Sequence, residues 1–295
     1  MSSRVKRVLL VPHILVHNAN ALSSPFTIGF PAMTAWLGAV HALQRKLNAD
    51  GFKDLAFKAV AVVSHKTDLQ VFRGKGDYVN SIIATANPVG KDGKRPAFIE
   101  EPRCHLDVSL LIEHSKIDKD DKEKFLERIT HHLRSRMKMA GGDILHFQTP
   151  TVYTVKKEEE LAKIRRKLMP GYAIIERREL MKEAMESGLD GIDALLKYLV
   201  INHSCEKDEK SNVLWTSRRE TEGWIVPIAT GFQGISELGK AKNQRDANAP
   251  HRFAEAVVTL GEFKMPYKIE SLDEILWQYS VDKEHGLYLC EQKNN

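Results

Sequence analysis

A run rich in Val, Leu and Ile from Arg7 to Val16 gives way, across a polar stretch, to apolar residues at helical spacing: Met33, Trp36, Leu37, Val40, Leu43 and Leu47. That change of period, from about two residues to about 3.6, limits the fold more than any other feature. A strand followed by a one-sided helix buries both apolar surfaces only if the helix folds back over a sheet. The alternation then recurs. Strands are predicted over about Ala56 to Ser64 and over His105 to Ile112, where Leu106, Val108 and Leu110 alternate with polar residues. A second helix, about Asp118 to Met139, carries Phe125, Leu126, Ile129, Leu133 and Met137 on one face, and Asp143 to Gln148 reads as a short strand. Glycines mark both helix ends, at Asp50-Gly51 and Gly141-Gly142. The order is β-α-β-β-α-β, which predicts an α+β fold with a ferredoxin-like core. RNA-recognition modules share that core with many unrelated proteins, so the order sets a fold class and not a function.

Two stretches fall outside the pattern. About Val71 to Arg103 contains Gly74, Gly76, Asn87-Pro88, Gly90, Asp92-Gly93 and Pro96 among the cations Arg73, Lys75, Lys91, Lys94, Arg95 and Arg103. A connection of that length is a functional insertion or a disordered one. Part of it reads as a projecting hairpin around Lys91 to Arg95. Beyond residue 150 the periodicity weakens. A basic helix is expected over Glu158 to Met169, another helical pattern through Leu195, Leu196 and Leu199, and a charged loop over Glu206 to Ser211. Trp224 to Ile228 reads as a strand and Thr230 to Gly234 as a glycine-containing turn. The expected organisation is a core over 1–150 and a helical and irregular region, with some strand, over 151–295.

Composition bounds the partners. The formal charge is +5, from 44 Lys and Arg against 39 Asp and Glu, mild enough that local clustering matters more than the total. Cys104, Cys205 and Cys290 are far apart and odd in number, which suits neither a disulfide framework nor zinc. Basic residues precede the first apolar run, but Pro12, His13 and His17 break it up, so no signal peptide is expected. No run approaches the roughly 20 apolar residues of a membrane span. A soluble, cytoplasmic protein without membrane contact is the expectation.

The stretch Asn18 to Pro31 is the most informative for binding. Asn18, Asn20, Ser23 and Ser24 offer short donors and acceptors for base edges or phosphates, and Phe26 and Phe30 offer stacking faces. The competing reading is a turn in which Asn and Ser bond their own backbone. In the inserted segment Arg73, Lys75, Lys94, Arg95 and Arg103 suit tracking of an RNA backbone, or solvation of an ordinary loop. His41 and Arg45 lie on the polar face of the first helix. Gln233 belongs to the glycine-containing turn, and Arg245 and Arg252 are candidate phosphate clamps in a polar loop. Lys163, Arg165, Arg166 and Lys167 follow an acidic turn and read as a solvated helix face. Trp215, Trp224, Phe253, Phe263 and Trp277 suit a partner interface as well as a core.

Twelve histidines raise the question of RNA cleavage, which needs a general base near a 2′-hydroxyl. His13 and His17 end the first strand, and His41 lies on the first helix. His131 and His132 are adjacent, and neighbours on a helix point about 100° apart, so they do not converge on one atom. No metal-ligand, nucleophile-elbow or Walker motif is present.

Nearly the whole chain resembles one family. The stretch NANALSSPFTIGFPAMTAWLGAVHALQRKL from Asn18 to Leu47 carries most of the likeness, with RCHLDVSLLIE from Arg103, MAGGDIL from Met139, LMPGYAIIERREL from Leu168, GWIVPIATGF from Gly223, RFAEAVVTLGE from Arg252 and DKEHGLYL from Asp282. These are similar to the Cas-five-type subunit of the type I-F CRISPR (Csy) surveillance complex, in the RAMP superfamily. The chain is short for that family between about Cys205 and Trp215. The resemblance implies a modified RNA-recognition fold with a thumb inserted at about 73–103, and a non-catalytic role without cofactor. It implies capping of the crRNA 5′ handle together with the large subunit of the Csy complex, beside the terminal copy of the multi-copy backbone subunit. Contact with target DNA stays open. The alternative is a metal-independent endoribonuclease that processes CRISPR repeat RNA.

Overall fold

The computed structural model describes residues 5–83, 89–95, 101–207, 212–244 and 246–293. β1 (Lys6–Asn20) extends past its predicted end and is followed by a small hairpin, β2 (Leu22–Ser24) and β3 (Thr27–Ile28), then by α1 (Met33–Ala49). Next come β4 (Phe57–Leu69), the short pair β5 (Val71–Phe72) and β6 (Ser81–Ile82), β7 (Arg103–His114) and α2 (Lys122–Ser135). β8 (Lys138–Met139), β9 (Gly142–His146) and β10 (Thr151–Val155) complete the first half. β4, β7, β1 and β9 lie side by side in that order, antiparallel throughout. β10 pairs with the start of β1, on Lys6 to Leu10.

The side chains explain the layers. In β1, Leu9, Val11, Ile14, Val16 and Ala19 face the side covered by α1 and α2, while Val8 and Leu10 face the other. The apolar spacing lengthens from two to three at Val11/Ile14 and Val16/Ala19, and the register shifts at both places. A bulge at each keeps the apolar row on the core side. The bulges carry His13 (φ 47°) and Asn18 (φ 56°), both in the left-handed region. α1 contributes Met33, Trp36, Leu37, Val40, Leu43 and Leu47 to the same core, as its spacing predicts. Phe30 is buried there and stacks on Trp36 at 5.5 Å, so it belongs to the core and is not an exposed stacking face of the polar stretch. α2 supplies Phe125, Ile129 and Leu133; it ends at Ser135, and the residues predicted as its last turn form β8.

The second half differs most from expectation. α3 (Glu158–Lys167), β11 (Tyr172–Glu176), α4 (Arg178–Glu186) and α5 (Gly191–Leu199) precede a hairpin, β12 (Asn202–Lys207) and β13 (Val213–Arg218). Then follow β14 (Ile225–Gly234), β15 (Ala254–Lys264), β16 (Trp277–Asp282) and β17 (Leu287–Gln292). Five of these strands run in the order β11-β15-β14-β17-β16, and both ends of the row pair with one edge of β4. β16 meets β4 at Val60 and β11 meets it at Val63 and Ser64. Trp277, fully buried, donates from Nε1 to the Ile174 carbonyl at 2.9 Å and ties the two end strands together. The region expected to be helical and irregular is therefore largely sheet. Thr230 to Gly234, predicted as a turn, is part of β14. Gly231 sits there because a Cβ would lie 2.1 Å from the Tyr288 carbonyl oxygen of β17, so the glycine marks close strand approach.

In the insertion, strand pairing among the described residues joins Val71–Phe72 to Ser81–Ile82. Lys91 to Arg95 lie in a tight turn, closed by Gly90 N–H donating to the Lys94 carbonyl at 3.1 Å. Asn87-Pro88, Pro96 and residues 208–211 of the charged loop lie outside the described residues. Among the described residues no helix is long and apolar enough to cross a membrane.

Candidate nucleic-acid interface

The sheet face opposite α1 and α2 is covered over only part of its length. α3 and residues 269–276 pack on Val8, Leu10, Ala59, Ala61, Val63 and Leu111. Beyond them, β7 presents Ser109, Asp107, His105 and Arg103 on that face, alternating with buried Val108, Leu106 and Cys104. β1 adds His13, Leu15 and His17, and β4 adds His65. Leu15 and Lys66 flank Asp107 in register.

Four imidazoles form two stacks here. His13 lies on His65 with ring centroids 4.1 Å apart, and His17 lies on His105 at 4.0 Å and 13°. The hydrogen bonds fix the inner pair. His13 N–H donates to Ser109 Oγ at 3.1 Å, and Ser109 lies 2.7 Å from His65 Nε2. His65 Nδ1 lies 2.6 Å from the Pro170 carbonyl, which can only accept. A consistent assignment places the His65 proton on Nδ1 and leaves Nε2 to accept from the Ser109 hydroxyl. That ring is neutral, and burial, foremost, holds His65 below the usual imidazole range. His13 Nδ1 faces the Asp107 carboxylate at 3.0 and 3.1 Å, so Nδ1 carries a proton. In the outer pair, Asn18 N–H donates to His105 Nδ1 at 3.1 Å.

His13, His65 and Asp107 also place ligand-type atoms within 4.8 Å of one another. Their hydrogen bonds to each other, to Ser109 and to Pro170 occupy all of these atoms except His13 Nε2. Stacked rings also direct their in-plane lone pairs alongside each other, which suits a hydrogen-bonded network better than a chelate.

The residues singled out from sequence divide by position. Asn20 turns back on its own loop: its amide donates to the Leu22 carbonyl at 3.0 Å and its Oδ1 accepts from Leu22 N–H at 3.1 Å. Ser23 and buried Ser24 both bond the Thr27 hydroxyl and close the β2–β3 hairpin. Phe26, at the hairpin tip, is 77% exposed. His41 lines an open groove between α1 and the second half, opposite Phe232, Tyr279 and Tyr288, with Asn20, Ser23 and Lys138 at its edge. Arg45 is exposed one turn further along α1. Arg73 donates to the Asp77 carbonyl at 2.9 Å, and Arg103 pairs with Glu101 at 2.7 Å. Lys75, Lys94 and Arg95 are exposed. Gln233 is exposed on β14. Arg252 lies across Gly234 and Gly286, where a Cβ would come within 2.3 and 2.5 Å of its side chain. Arg245 lies outside the described residues.

Sequence reasoning weighed His13 and His17 singly and passed over His65, His105, Asp107 and Ser109. A signal was available: the polar row Arg103, His105, Asp107 and Ser109 is the counterpart of the apolar row that predicted the strand. What no spacing in the sequence supplies is the register that lays His65 and His13 on either side of Ser109.

The model of one protein family, described as CRISPR-associated protein (Cas_Csy2), matches residues 9–290. The chain belongs to the Csy2 family. It is 32% identical over 309 aligned residues to CRISPR-associated protein Csy2 of Pseudomonas aeruginosa (strain UCBPP-PA14), an alignment covering 95% of this chain and 94% of that protein. The imidazole face, the β2–β3 hairpin and the described part of the insertion all fall inside the span matched to Csy2.

Proposed function

We propose that this Csy2-family chain is a non-catalytic, RNA-binding subunit of the type I-F CRISPR surveillance complex, and that it caps the crRNA 5′ handle together with the large subunit in antiviral defence. The observation that carries the reading is the uncovered sheet face with its two stacked imidazole pairs. Single-stranded RNA is held on sheet surfaces by splayed bases that stack on flat side chains, histidine included. The strand order β4-β7-β1-β9, with α1 and α2 on the opposite face, supports a ferredoxin-like, RRM-like core of the RAMP kind. The insertion leaves the sheet at the same end, since Leu69 and Asp68 of β4 pair with Cys104 and His105 of β7. Its exposed Lys75, Lys94 and Arg95 suit neutralisation of phosphates. The terminal backbone subunit is the expected neighbour, and the cytoplasm the site of action.

One observation favours a second reading. The His13–Asp107 pair sets an imidazole against a carboxylate that orients it, the arrangement of a general base in a metal-independent endoribonuclease. Incubating the chain and its large-subunit partner with end-labelled repeat RNA in EDTA separates the two. RNA retained at full length is the expected result; shortened RNA, abolished by His13→Ala, is the result of the second reading.

A further inference from the structure

Beside the imidazole face, against the β2–β3 hairpin, lies a cavity of about 340 Å³. Its walls are flat: Phe30, Tyr172, Trp224 and Phe263 line it, with Trp224 5.1 Å from the Tyr172 ring and 5.0 Å from the Phe263 ring. Its polar rim comes from the β4 bulge and the hairpin. Ser64 and Thr67 hydroxyls share a bond at 3.0 Å, Ser23 and Thr27 share one at 2.8 Å, and Lys66 is exposed at the edge. Trp224 is 51% exposed, much for the largest apolar side chain. Volume, mostly apolar lining and a few convergent polar groups are the marks of a small-molecule pocket. Its position is what distinguishes it: His65, whose ring is half of the inner stack, also lines the cavity.

We infer that the cavity takes one base of the bound RNA, turned out of the strand that crosses the imidazole face. The inference rests on the RNA-binding reading above and adds a subsite to it. Aromatic walls stack a base without regard to its identity, and hydroxyls at the rim can pair with its edge. Lys66 beside the opening suits the phosphate of the same nucleotide. His65 stands between the strand and the turned-out base, stacked on one side and in the cavity wall on the other. An apolar side chain from a protein partner would leave the hydroxyl rim and the lysine without a role.

The test uses the full chain co-purified with its large-subunit partner and a set of 5′-handle RNAs in which each nucleotide in turn is abasic. For the wild type, one abasic position should weaken binding roughly 5- to 150-fold more than its neighbours. Trp224→Ala, which removes a half-exposed wall, and Val226→Phe, which fills the cavity, should weaken binding of the intact RNA and no longer register that abasic position. 2-Aminopurine at the same position should be quenched on binding to the wild type, a measurement that needs no variant to fold. The inference is overturned if RNA binds but all abasic positions are tolerated alike and the probe stays unquenched. It is equally overturned if the sensitive position stays as sensitive in Trp224→Ala, or if that variant instead releases the protein partner. Absence of any handle binding by the wild type removes the RNA-binding reading itself.

Discussion

His65 is held by contacts from three directions. Ser109 reaches its Nε2, the Pro170 carbonyl takes its Nδ1 proton, and Gly171 lies so close that a Cβ there would stand 2.8 Å from Nδ1. The glycine of the LMPGYAIIERREL stretch is thus explained by the nearby Leu168 carbonyl, 2.7 Å from such a Cβ, together with a histidine far away in sequence. On the other side His13 occupies a left-handed conformation that costs of order 1–3 kcal/mol, held by its bonds to Ser109 and Asp107. Burial lowers the His65 pKa below the ordinary imidazole value of 6.5, so the folded chain binds fewer protons there than the unfolded one. The stability contributed by the neutral ring is complete above that pH and declines as pH falls below it. Urea unfolding at pH 7 and pH 5 should show a larger loss for the wild type than for His65→Gln; equal losses would contradict the assigned neutral ring. Phe26 and Phe30 show how far residue type alone reaches. Both are phenylalanines in one polar stretch, yet one is at a hairpin tip and the other under Trp36, because the chain reverses between them to enter α1.

At the scale of elements, α1 was the most legible piece. Its apolar stripe, its start after Pro31 and its stop at Asp50-Gly51 follow from spacing and glycine alone. Its anchoring to α2 was not legible, because the partners are distant in sequence. Asp50 accepts from Arg128 Nε at 2.7 Å and lies 2.6 Å from Nε2 of buried His132, and the Arg128 bond foremost holds its carboxyl down to about 2. Asp50→Ala should cost ~1–3 kcal/mol in chemical denaturation, mainly by leaving the buried imidazole nitrogen without a partner. An effect within error would mean that solvent replaces the carboxylate. Of the strands of the second half only the start of β14, within Trp224 to Ile228, was legible, and the rest were obscured for a different reason. β14 contains Pro227 and Gly231, and β12 and β13 are exposed along almost their whole length, so neither shows the alternation of a half-buried strand.

Across the whole molecule, the two halves meet on one edge of β4. Trp277 and Ile174 from the second half belong to the core built by β1, β7, α1 and α2. Trp277→Ala should cost ~3–5 kcal/mol through the cavity and the lost bond to Ile174. It should lower one cooperative thermal transition instead of splitting off an early one; a separate low-temperature transition would show that the halves unfold independently. The sequence had placed Trp277 among possible interface residues, since a large apolar group in a weakly periodic stretch carries no sign of which surface it faces. The imidazole face was half-legible for a related reason: its polar rows are visible, but which face α3 leaves open depends on how the second half closes. The most direct test of RNA binding on that open face is a titration of labelled handle RNA in EDTA. It compares the wild-type chain, purified with its large-subunit partner, with the double variant His17→Ala/His105→Ala. Those two rings stack in the outer pair, away from the apolar core. Full-length RNA, an affinity lowered about 5-fold or more and a melting temperature near that of the wild type are predicted. Unchanged affinity, or RNA cut during the titration, would contradict it.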